Sequence, residues 1–169
     1  MTVDLTLQLD EPVSLGEIRD GTMEVLRELL HGTPVPPLEI YEMNRGEVND
    51  SEVVGADRGE MFILSSFGSS DAVDILETHL GDERTYDLTF SAGGTRSASE
   101  HALGLAAAIF VGMSYKRSIE DGWAFWGGQP QLEPDEVLQK IRLASPRETF
   151  FLACEHLLEA ARAHGSPPE

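Results

Sequence analysis

Residues 95–113, TRSASEHALGLAAAIFVGM, decide how the rest of the chain must be read. From Ala102 to Met113 no side chain is charged or strongly polar, so a helix here is apolar all round and must be buried on most of its circumference. The run is too short to cross a bilayer, which takes about 20 residues. Ser97 followed by Glu100 has the spacing of a capping box and marks the helix start. Ala98, Ala102, Gly104, Ala106, Ala107, Ala108 and Gly112 let neighbouring backbone come close, while Leu103, Leu105, Ile109, Phe110 and Met113 supply volume. The stretch reads as the core helix of a globular domain and carries no chemistry of its own.

Before it, residues 2–9 alternate Val3, Leu5, Leu7 and Leu9 with polar residues, the pattern of a strand with one wet face. Ser14 and Glu17 form a second capping box, and Leu15, Ile18, Val25, Leu26 and Leu29 make the stripe of a helix that Gly32 ends. Three prolines within 33–37 forbid its continuation. Residues 38–43 read as a strand, 48–54 as a weak acidic strand pairing back, and 61–66 as a central strand. Residues 69–71 are expected to cap a helix with the stripe Ala72, Val73, Leu76 and Leu80, closed by Gly81, before another strand at 85–91.

That order predicts a split βαβ, ferredoxin-like arrangement in the N-terminal half. After the core helix, residues 118–126 read as an extended aromatic segment. Pro134 sits at the first position of a short helix, and Phe150, Phe151, Cys154, Leu157 and Leu158 stripe a last one. The expectation is one α+β domain spanning 1–169, with a mainly antiparallel sheet, a buried Ala-rich helix, C-terminal helices and a flexible tail at 165–169.

Thirty acidic residues against 12 basic ones give a net charge of -18, and residues 1–60 carry over half of the excess. Such a field repels nucleic acid and anionic membrane and speeds encounter with basic partners. An acidic, lysine-poor composition can equally reflect the source organism or solubility, and charge alone does not separate the two. The start of the chain has neither a basic nor an apolar leader region, which predicts a cytoplasmic protein. The lone Cys154 lies among apolar residues and reads as a buried small hydrophobe.

No catalytic template fits. His31, His79, His101, His156 and His164 lie on different elements with no metal-pair spacing, and no nucleophile and base are matched, so no cofactor, metal or enzymatic activity is expected. Residues 93–97 join a strand to a helix start, a junction able to hold an anion, and His101 follows in the first helical turn. They form an alternative small-molecule or enzymatic site, against the simpler reading of a tight turn and a cap.

The candidate surface is Glu120, Asp121, Trp123, Phe125 and Trp126, which places both tryptophans of the chain within four residues beside two carboxylates. If one alternating face is buried, either Trp123 with Phe125 or Trp126 with Ala124 points outward. Exposed tryptophan ringed by acid suits a hot spot for a basic partner, whereas the competing reading has all three rings closing the core. Glu39, Glu42 and Glu47 are expected to act as peripheral steering carboxylates. A third possibility is a structural subunit that oligomerises through the aromatic segment, and either a monomer or a homodimer fits.

The start Arg96, Ser97, Ser99, Glu100 on an Ala-rich helix, followed by Asp121, Trp123 and Trp126, resembles the immunity proteins of bacterial toxin systems over residues 85–126. The resemblance implies a cytoplasmic protein without a cofactor that binds a cognate basic toxin and occludes its active site.

Overall fold

The computed structural model describes residues 2–42, 46–56, 61–67, 69–79, 81, 84–93 and 97–165. In chain order the elements are β1 (Thr2–Leu9), β2 (Val13–Ser14), α1 (Leu15–Leu29), β3 (Leu38–Glu42), β4 (Gly46–Glu47), β5 (Val53–Val54), β6 (Phe62–Ser66), β7 (Val73–His79), β8 (Tyr86–Gly93), α2 (Ala98–Tyr115), β9 (Ile119–Asp121), β10 (Gln131–Leu132), α3 (Pro134–Ile141) and α4 (Phe150–Gly165). The fold is α+β. Eight strands form one antiparallel sheet in the order β10-β9-β1-β8-β7-β6-β3-β4, and β2 pairs with β5 in a separate two-stranded ribbon.

One expected element changes type. Residues 73–79, expected to be helical, are a strand that pairs with β6 and β8, so the second helix of a split βαβ order is missing. Val73 and Ile75 are β-branched and both face inward, opposite Leu64 and Phe62. Residues 73–75 pair on both sides and 76–79 with β8 alone, and this pairing outweighs the helical spacing of Val73, Leu76 and Leu80. Ser69 does act as a cap, but of a turn: its hydroxyl accepts from the Asp71 N–H at 2.9 Å.

The inner face of the sheet is lined by Leu5, Leu7, Leu64, Ile75, Leu88 and Phe90, each at most 1% exposed. Across it lies α2, in contact with β1 and β8, while α1, α3 and α4 pack against the other sides of α2. That surrounded position explains why Ala102, Leu103, Leu105, Ala106, Ala107, Ala108 and Ile109 are all 0% exposed. The larger side chains, such as Leu103 and Ile109, contribute about 1.5–3 kcal/mol each by leaving water. Close approach decides the α1–α2 crossing at Gly21, where a Cβ would lie 2.1 Å from the Phe110 ring. Only glycine fits there.

The two capping boxes differ. Ser14 accepts from the Glu17 N–H at 3.4 Å, as its spacing predicts. Ser97 makes no such bond; its hydroxyl instead donates to Asp71 at 2.5 Å, and the Glu100 N–H goes to the Ser97 carbonyl. Ser99 donates to the other oxygen of the same carboxylate, also at 2.5 Å. A buried Asp71 thus ties the turn before β7 to the positive end of α2.

Candidate functional site

The aromatic segment is only briefly extended. Strand β9 ends at Asp121, and the chain then turns, with the Ala124 N–H donating to the Asp121 carbonyl at 2.9 Å and the Gly128 N–H to the Ala124 carbonyl at 3.1 Å. Ala124 sits at φ 51°, a left-handed conformation that closes the turn. The Asp121 carboxylate lies beneath it, fully buried, and Oδ2 accepts from the Trp126 N–H at 3.0 Å.

This geometry separates the two tryptophans. Trp126 is 0% exposed and closes the core; Trp123, three residues earlier, is 63% exposed. Phe125 is half-buried between them, stacked on the His101 ring at 4.9 Å and edge-on to Trp126 at 5.2 Å. Burial, with a smaller contribution from Arg162, holds the His101 imidazole below its ordinary pKa, so it is neutral at pH 7. His101 Nδ1, Asp121 Oδ1 and Trp126 Nε1 are buried without a protein hydrogen-bond partner. The imidazole therefore anchors the turn from below, and its link to Phe125 joins two features that lie far apart in sequence.

Of the candidate contact residues, Glu120 and Trp123 reach solvent, Phe125 and Glu39 are half-buried, and Asp121, Trp126 and Glu42 are buried. The buried three shape the surface and do not present themselves on it. Nor do the candidates share one place. Strands β9 and β3 are five strand steps apart in the sheet, about 24 Å at the usual spacing of ~4.8 Å, so Glu39 and Glu42 sit at the far end from Trp123. The Glu39 carboxylate is engaged by the Tyr41 hydroxyl. The Glu47 side chain lies outside the described residues.

Residues 94–96 of the alternative anion-binding turn also lie outside the described residues, as does most of the expected tail at 165–169. Cys154 is fully buried, and its thiol pKa is pushed up by burial, with Asp71 and Glu155 adding to it, which leaves the thiol protonated and inert. Among the described residues, no group of three or more metal-ligating side chains occurs, and no helix is long and apolar enough to cross a membrane. A cavity of about 190 Å³ opens beside Trp126, between the β10 segment and α3, lined by Gln131, Val137 and Lys140 among others. Sequence reasoning missed the Asp71–Ser97–Ser99 knot, whose only signal was two serines flanking Ala98 at a helix start.

No family model matches this chain, and neither a curated protein nor a solved structure is detectably similar to it.

Proposed function

We propose that the protein works by binding a basic protein partner, as an immunity protein that neutralises a cognate toxin by occluding it, with Trp123 as anchor and Glu120 beside it. The observation that carries this reading is the exposure of Trp123, 63%, on a turn whose underside is fixed by Trp126, Asp121 and the His101–Phe125 stack. A large aromatic on a rigid support loses little conformational freedom on binding, which is the property of an anchor residue. The net charge of -18 favours a cationic counterpart and fast encounter.

Co-purification from the source organism followed by binding kinetics tests the proposal. Trp123→Ala should raise dissociation by about 30-fold or more, equivalent to about 2 kcal/mol, while Glu120→Gln mainly slows association. Recovery of an acidic partner only, or wild-type binding by a folded Trp123→Ala variant, would overturn it.

A further inference from the structure

All the helices pack on one side of the sheet, and no described element covers the other. That open face has an unusual composition. Among the described residues, no Lys or Arg occurs in any of its eight strands, and register places Asp4, Glu39, Asp74, Asp87 and Glu120 on this face, while Glu42, Glu77 and Asp121 point to the closed side. The described cations lie on the helices and the loops leaving them, except for Arg84 in the β7–β8 turn. Apart from Arg84, the described cations therefore sit on the helical side, where they offset carboxylates, while the open face leaves its own carboxylates without a described counter-charge.

Register shows how the outer residues are arranged. Asp4 of β1 stands opposite Ser91, Ser91 opposite Asp74, and Asp74 opposite Ile63, so one row crosses four strands. The next row along β8 runs Thr6, Thr89 and Leu76, and beyond it lie Gln8, Asp87 and Thr78. Ile63 and Leu76 are only half-buried and lie outside the core cluster, so they form an apolar centre among hydroxyls and carboxylates. The Asp4 carboxylate accepts from the Ser91 hydroxyl at 2.6 Å. Among the described residues, Asp74 has no cation paired with it, and partial burial pushes its carboxyl pKa up.

We propose that this open sheet face is a docking surface for a cationic protein, whose Lys and Arg side chains meet Asp4, Asp74 and Asp87 while Ile63 and Leu76 take apolar contact. The inference rests on the reading that the protein binds a basic partner and extends the contact from the Trp123 turn across the sheet, which Glu120 joins opposite Thr6. Charge complementarity selects the occupant: a second copy would bring acid against acid, and nucleic acid or an anionic bilayer would be repelled. The eight strands, from two to eight residues long, present on the order of 600 Å² at ~3.3 Å rise and ~4.8 Å spacing, somewhat below the ~800 Å² per partner of a standard interface, which the adjoining Trp123 turn enlarges. An incoming guanidinium or ammonium would also offset the partial burial that works against the ionised form of Asp74.

A deca-lysine peptide serves as probe in titrations at about 50 mM salt, with two variants that each remove three charges. Asp4→Asn, Asp74→Asn and Asp87→Asn together should weaken binding at least about tenfold. Glu24→Gln, Glu28→Gln and Glu136→Gln, all at exposed sites on α1 and α3, should change it about twofold or less. Amide shifts of the wild-type protein with the peptide should concentrate on β1, β7 and β8, a readout that needs no variant to fold. Equal losses from the two triple variants, or shifts confined to the helices, would overturn the inference. Loss of binding in Trp123→Ala with none in the sheet variant would overturn it too while leaving the proposed function in place, and no binding by the wild-type protein would overturn both.

Discussion

Along β1, Val3, Leu5, Leu7 and Leu9 are each at most 2% exposed, while Asp4 and Gln8, set between them, are open to solvent. The same backbone therefore serves two environments: one face is closed by α2 and the other by no described element. The two tryptophans repeat the contrast within three residues, Trp126 inside and Trp123 outside. The comparison teaches that in this molecule stability and recognition are carried by alternate residues of the same strands. Substitutions next to each other in sequence should then fail in different ways.

The largest effect is expected at the closed face. Ala107→Glu places a carboxylate at a fully buried position of the apolar core, and the cost of several kcal/mol should leave the protein unfolded or insoluble. Circular dichroism and a solubility assay check this, and a wild-type melting curve would show that α2 is not the centre. Next comes Trp126→Ala, which should cost about 3–5 kcal/mol through the void it leaves, against ~0.5 kcal/mol or less for Trp123→Ala. Denaturant melts of the two variants side by side would break the comparison if the costs were similar.

The smallest effect, of opposite sign, is expected at the open face. The raised carboxyl pKa of Asp74 means that folding disfavours its ionised form, a penalty present at pH above that raised value and gone once the group is protonated in both states. Asp74→Asn should therefore stabilise the protein slightly at pH 7, the gain held down because the group is partly exposed. The gap should close as the pH falls through the acid range. Thermal melts across pH 3–8 measure it, and a constant gap would mean that some other contact accounts for the difference.

Much of this was legible because periodicity is local. The alternation of β1 and β8 and the apolar run of α2 each declare their environment within a dozen residues. Strand β7 was misread because Ser69 and Asp71 offer cap chemistry to either structure, and its two pairing partners are not visible from the segment itself. Half of the candidate site was legible too: the tryptophans and carboxylates are local, but which ring faces out depends on the left-handed Ala124 and on His101, some 24 residues upstream. The remote carboxylates Glu39 and Glu42 were grouped with Trp123 by charge, and only strand order shows that they lie at the opposite end of the sheet.

The place of β1 in the sheet has a further consequence, for synthesis. It sits between β8 and β9, and its registers join Leu5 to Phe90 and to Asp121. At about 5–20 residues per second, β1 leaves the ribosome roughly 4–17 s before β8 has been made, and both of its neighbours are late. The segment from β6 to β8 can close as a local meander in that interval, at little loop-closure cost. A strand with four inward leucine and valine residues must meanwhile wait unpaired, so the nascent chain is most exposed to chaperone capture and misassociation before residue 93 emerges.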